Sequence, residues 1–318
     1  MPPDPRRVLT TSAGTRPDHF GPTEWMLVAV ISVTWGSSYL WIALGLESFA
    51  PGLIAWLRLA IGAAVLLLLP RQRVSIARHH WRGILLIAIA GNAGPALLFA
   101  MAEQTIESSV AGMLTAATPL ATLAIALLLG NRTLRPIHIL GLLLGLVGVL
   151  MMSAESVVGA DTGVAGVIYV IIALLGYAVT SNVTGPLAEG YGAVAVVVRS
   201  QAIAVVLVTP AGLFALDDST FSWKSLIAIA ILGIFGTGMA RALQAMLISR
   251  SGAPRASIIG YLVPVVAAIL GVAFLGENLS VAEVTGLAII TIGATLGSRR
   301  ISASRAGTAD INREGGAD

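Results

Sequence analysis

Ten runs of mainly apolar residues succeed one another along this chain, each near the length of about 20 residues that a helix needs to cross a hydrocarbon core. They lie near 25–45, 51–69, 83–102, 109–129, 137–153, 164–187, 192–216, 225–248, 256–275 and 281–298. Gly and Pro residues such as Pro51, Gly130, Pro136 and Gly276 punctuate their ends, as residues that break helices do. Lipid accepts such surfaces provided each run closes its own backbone hydrogen bonds, which a helix does. A soluble domain carries about 25% charged residues, whereas this chain carries 11%. The expectation is an all-α membrane protein of ten transmembrane helices, with the lipid bilayer as its first partner.

Charges that are this sparse act as topology marks. With a cytoplasmic N-terminus, the cytoplasmic segments hold Arg6, Arg7, Arg16, Arg71, Arg73, Arg78, Arg82, Arg132, Arg135, Arg250, Arg255, Arg299, Arg300, Arg305 and Arg313. The opposite loops hold Lys224 as their one cation, together with Glu47, Glu103, Glu107, Glu155, Asp161, Asp217 and Asp218. A positive-inside bias of this size places both termini in the cytoplasm of a multi-pass inner (plasma) membrane protein. The polar stretch at 1–24 has no short apolar core with a cleavage site, so it reads as a cytoplasmic tail and not a signal peptide. The polar stretch at 299–318 reads as the other tail, and both are expected to be disordered.

The second half repeats the first. A shift of 145 residues superposes 84–151 on 229–296 without a gap, pairing Gly91 with Gly236, Pro119 with Pro264, Gly141 with Gly286 and Gly148 with Gly293. Arg58 falls opposite Arg199 once four residues are allowed for. Paired prolines and glycines carry more weight than paired leucines, because each constrains the backbone. Five helices per copy is an odd number, so the second copy lies upside down in the membrane. The expected architecture is two inverted five-helix repeats, 25–153 and 164–298, the arrangement of many secondary transporters with a substrate site near the midplane.

These residues carry a family resemblance. Trp35-Gly36-Ser37-Ser38, Ala55-Trp56-Leu57-Arg58 and Thr118-Pro119-Leu120 resemble the first repeat of EamA-type drug/metabolite transporters. Ser257, Val263-Pro264-Val265, Leu275-Gly276-Glu277-Asn278-Leu279 and Gly286 resemble the second. The resemblance spans about residues 25–298 and implies ten helices, cytoplasmic ends, and export or exchange of amino acids and related metabolites. In one place the chain departs from the family. The acidic residue after the fourth helix of each repeat is Glu277 in the second copy, but its aligned position in the first is Arg132.

Three arginines fall inside spans, Arg58, Arg199 and Arg241, at an insertion cost of about 2.5–3.5 kcal/mol each near a helix centre. No Asp or Glu lies well inside a span to pair with them, so each needs carbonyls, water or an anion. Arg241 sits mid-helix with Gln244 on the same face and is the sharpest candidate for a carboxylate or phosphate contact. Arg58 and Arg199 lie nearer helix starts, where pinning helix ends competes with function, and their related placement suggests one structural role used twice. Trp35 and Ser38 in helix 1 and Tyr177 and Asn182 in helix 6 occupy corresponding places in the two halves. With Asn92, Thr115 and Tyr261 they are candidates to line an apolar substrate cavity, interhelical hydrogen bonding being the competing role. Pro95, Pro119 and Pro264 are expected kinks or hinges. Gly141-x-x-x-Gly145 and Gly293-x-x-x-Gly297 mark close-packing faces on helices 5 and 10, through which a homodimer is expected.

Other chemistries drop out. The chain has no cysteine, which removes disulfides and thiolate metal sites. It has no phosphate-binding G-x-x-x-x-G-K-[ST] loop. His19, His79, His80 and His138 have no metal-site company in sequence, so neither a metal nor a cofactor is expected. The basic residues are scattered between apolar runs, which does not suit nucleic acid. The expected function is a secondary transporter of small metabolites, exporting amino acids or related carboxylate-bearing compounds by alternating access, and not an enzyme. A flippase or intramembrane enzyme acting on a phosphate-bearing lipid-linked substrate stays open as the alternative.

Overall fold

The computed structural model describes residues 21–68, 75–128, 136–157, 161–251 and 258–298, and among them there is no strand. In chain order the helices are α1 (Pro22–Leu46), α2 (Pro51–Leu67) and α3 (Arg78–Ala102). α4 joins Ser108–Leu114 to Thr118–Leu128 through a 3₁₀ turn, and α5 (Pro136–Val157), α6 (Asp161–Tyr191) and α7 (Ala193–Phe214) follow. α8 comprises Trp223–Ile231, a π segment Leu232–Met239 and Ala240–Ser251; α9 is Ile259–Leu275 and α10 is Val281–Ser298. The polar tails, Arg132 and Ser257 lie outside the described residues.

Seven of these, α1 and α3–α8, contain a stretch long and apolar enough to cross a membrane. The other three positions expected to span hold shorter apolar helices, α2, α9 and α10. The 17 residues of α2 rise about 26 Å at 1.5 Å each, slightly less than the hydrocarbon core. α1 begins at Pro22, ahead of the expected start. Proline suits the first helical position, and Glu24 Oε2 accepts the Gly21 N–H at 3.0 Å, closing the helix start.

The closest helix pairings run between the two halves. α2 lies on α7, α4 on α9 and α5 on α10, each helix meeting its own counterpart. The remaining close pairs come in twos: α1–α8 with α6–α3, α1–α9 with α6–α4, and α2–α8 with α7–α3. Exchanging the first five helices for the second five maps this set onto itself, as a two-fold relation between repeats requires. Among the described residues neither half has a core of its own. One cluster, including Ile31, Ile54, Met113, Leu114, Ile229 and Leu247, draws on both. Outward faces such as Leu140, Leu143, Val147 and Leu150 of α5 remain exposed, which is where lipid would lie.

The paired glycines permit the closest crossing. A Cβ on Gly148 would stand 2.7 Å from Gly286 O, and one on Gly286 the same distance from Gly148 O; a Cβ on Gly293 would stand 2.7 Å from Gly141 O. The small-residue faces of α5 and α10 are thus used within the chain, and a dimer across these helices would meet their outer apolar faces, leucine-rich on α5 and carrying Val284 and Ile292 on α10. A Cβ on Gly286 would meet Met152 Cγ at 2.5 Å and, beyond the reach of any side-chain adjustment, the backbone atoms Gly148 O at 2.7 Å and Met152 N at 3.0 Å, so Gly286→Ala is expected to destabilise by about 1–3 kcal/mol, in the range of other overpacked sites. Gly260→Ala, whose Cβ would find only Pro119 Cγ at 3.7 Å, is expected to be neutral or stabilising. Thermal unfolding of the two variants in the same detergent checks this contrast.

Candidate functional site

Two π segments 145 residues apart build the centre of the bundle. They are Ile87–Ala93 in α3 and Leu232–Met239 in α8. In each, the hydrogen bond that resumes the α register skips one residue further back, Gly94 N–H to Ile89 O and Ala240 N–H to Phe235 O. Such a shift spares a carbonyl from the ladder. In α3 the residue four beyond Gly91 is Pro95, which has no N–H to give, so Gly91 O is left open towards α8. Arg241 Nη2 donates to it at 2.7 Å. In α8 the equivalent Gly236 O accepts Trp35 Nε1–H from α1 at 3.0 Å. The half-buried arginine has found the carbonyl it needed.

Aromatic rings flank that guanidinium. Arg241 Cζ stands 5.7 Å from the ring centroid of Trp35 and 5.7 Å from that of Tyr177, within cation–π range. Tyr177 stacks on Phe99 at 6.2 Å, and Tyr39 meets Phe99 edge-on at 5.5 Å. α1, α3, α6 and α8 therefore bring Trp35, Gly91, Tyr177 and Arg241 to one place. Of the residues expected to line a cavity, Trp35, Tyr177 and Arg241 meet here, with Gln244 half-buried one turn further along α8.

Other expected residues do interhelical work. Asn92 Nδ2 donates to Ser200 Oγ of α7 and to Ile87 O, both at 3.3 Å. Its repeat equivalent Thr237 accepts Arg58 Nε–H from α2 at 3.3 Å. The residue after each π-segment glycine thus ties α3 to α7 and α8 to α2. Ser38 Oγ–H returns to Thr34 O and Thr115 Oγ–H to Gly112 O. Tyr261 is half-buried against the core. The side chain of Asn182 lies outside the described residues. Arg199 Nη1 donates to Ala195 O of its own helix at 3.0 Å, whereas Arg58 reaches across the repeats.

Pro95 and Pro119 act through the carbonyls they release. Pro119 cannot bond Thr115 O, and Thr118 Oγ–H takes that oxygen at 2.7 Å. Pro264 lies inside α9, and Pro210, which the reading from sequence passed over, lies inside α7.

Four polar fastenings were not foreseen. Glu24 pairs with Arg250 at one end of α1 and α8, with Nη2–Oε1 2.6 Å, and Glu47 pairs with Lys224 at the other, 2.7 Å. Between them Ser225 Oγ–H donates to Leu44 O at 2.9 Å. At the end carrying the 47–50 and 103–107 turns, Glu277 caps α4 from the opposite repeat: Oε1 accepts Ser108 N–H and Oε2 accepts Ser109 N–H, each at 2.9 Å. Gly276 at φ 69° makes the turn that aims Glu277 there, a conformation that costs glycine nothing. These links were hidden because the partners are more than 160 residues apart for Glu277 and more than 200 apart for Glu24.

Comparison with known proteins follows the same division. The EamA-like transporter family matches twice, over residues 23–154 and 164–299. YedA of Escherichia coli K12, described as an uncharacterized inner membrane transporter, is 29% identical over 273 residues, 83% of this chain and 87% of YedA. YoaV of Bacillus subtilis 168, described as an uncharacterized transporter, is 23% identical over 279 residues, 84% of this chain and 94% of YoaV. A crystal structure 21% identical in sequence superposes with a TM-score of 0.61, covering 86% of this chain and 96% of that one; it shares the fold.

Proposed function

We propose, on the premise that the chain belongs to the EamA-like transporter family, that it is an inner-membrane secondary transporter exporting small carboxylate-bearing metabolites, amino acids above all. In this reading the ten helices span the membrane as two inverted repeats with both termini cytoplasmic. The turns at 47–50, 103–107, 215–222 and 276–280 then face outward. The interdigitated pairing of the repeats suits rocking of one group of helices against another about a central site.

Arg241 between two rings carries the substrate assignment. One guanidinium N–H is given to Gly91 O, and the fork that remains is the shape that binds a carboxylate in two places. Trp35 and Tyr177 hold the cation in place and offer apolar faces to a side chain next to that carboxylate. No acidic side chain meets Arg241 among the described residues, as a site for an organic cation would require. The reading is tested by counterflow in proteoliposomes with amino acids, organic anions and organic cations in parallel. Exchange of carboxylate-bearing solutes supports it, and exchange confined to organic cations would overturn it.

A further inference from the structure

The Glu103 carboxyl is the buried polar group that the substrate site does not use. It ends α3, its backbone N–H bonded to Phe99 O at 3.0 Å, and both side-chain oxygens are shut off from solvent with no hydrogen-bond partner among the described residues. An ionised carboxylate without partners is one of the costliest things to bury. Burial first, and the nearby Glu277 carboxylate second, push the Glu103 carboxyl well above the usual range, while Arg58 opposes them.

The groups facing it are Tyr39 from α1, Arg58 from α2 and Glu277 from the turn before α10. Tyr177 of α6 lies further in against Phe99, and Glu107 of its own turn is exposed. Glu277 accepts two backbone N–H groups, and Glu103 accepts none among the described residues. Two carboxyl groups in such different surroundings can take different roles, and the unpartnered, buried one is the one placed to hold a proton.

We propose that Glu103 is a proton-binding site that ties closure of the outer end to uptake of one proton from the outside. With the Glu277 cap on α4 in place, Glu103 is covered and holds its proton. When α4 and the Glu277 turn part, water reaches Glu103 and the carboxyl ionises, releasing that proton outward. Closing again requires a proton to be taken back. The open form is therefore favoured as external pH rises, by at most about tenfold per pH unit for a single proton. This rests on the outward orientation proposed above for the 103–107 turn.

The absence of cysteine in the sequence makes the test direct. Ala111, fully buried in the first turns of α4, is replaced by cysteine and labelled with a membrane-impermeant maleimide. Phe221→Cys, at an exposed site, serves as the reference for thiol reactivity. From about pH 6 to about pH 8 the labelling ratio of Ala111→Cys to Phe221→Cys is expected to rise several-fold. With Glu103→Gln added, a fixed stand-in for the protonated form, it should stay low and flat. Equal pH profiles with and without Glu103→Gln overturn the proposal. Infrared difference spectra of the purified protein supply a reading free of any gate: a protonated carboxyl band at neutral pH that Glu103→Gln removes is expected, and no such difference refutes it. A pH-dependent ratio seen only in inside-out vesicles would keep the proton site but overturn the proposed orientation, and with it the outer side of the closure.

Discussion

Arg241→Ala is expected to abolish exchange of carboxylate-bearing solutes while the protein still folds. Removing one partner of a desolvated charge pair costs about 2–5 kcal/mol, or roughly 30-fold to several thousandfold in affinity at 1.4 kcal/mol per decade. The loss follows from geometry as much as charge. Trp35 and Tyr177 hold the guanidinium from two sides, and Gly91 O fixes one edge of it, so the fork is oriented before a substrate arrives. Arg241→Lys should recover little, because an ammonium presents a point charge with no planar edge and stacks less well on rings. The truncation also leaves Gly91 O without its donor, a cost of about 1–3 kcal/mol to stability, which thermal unfolding in detergent measures separately. Counterflow of an amino acid that survives Arg241→Ala in well-folded protein would remove this residue from the substrate site.

What was legible in the sequence was whatever depends on periodic composition. The apolar runs and the paired Gly91/Gly236, Gly141/Gly286 and Gly148/Gly293 announced helices, a repeat and close-packed faces, because a bilayer and a tight crossing each leave only one kind of residue acceptable. The need of Arg241 for a carbonyl or an anion was legible too, since arginine keeps its charge. Which carbonyl it would find was not. Gly91 O becomes available through a π segment and Pro95 acting together, and a glycine four residues before a proline does not reveal a register shift. The roles of Glu24, Glu103 and Glu277 were hidden for another reason. Each sits at a helix end, where a carboxylate is ordinarily solvated, and only the folding of one repeat over the other covers or pairs it. The family motif singled out Glu277 but not its partners, the N–H groups of Ser108 and Ser109.

That cap yields the second large effect, and it separates closure from binding. Glu277→Ala strips α4 of acceptors for two N–H groups that no other intrahelical carbonyl can serve, and hydrogen bonds to a charged acceptor are worth about 1.5–3 kcal/mol each. Because the turn is half-exposed and water can replace part of this, a loss of roughly 2–4 kcal/mol is expected in unfolding. Glu277→Gln keeps one oxygen, accepts one of the two bonds without the charge, and should fall between. The cap joins the last turn of α9 to the first turn of α4 and touches neither Arg241 nor the rings around it, so substrate affinity in the closed form should change little. The balance of states should shift instead. With the cap gone the outer end opens more readily, and labelling of Ala111→Cys from outside should be high at every pH. A Glu277→Ala protein that is as stable as the wild type and stays closed to the maleimide would show that the two bonds merely decorate a contact held by the apolar packing of α4 on α9.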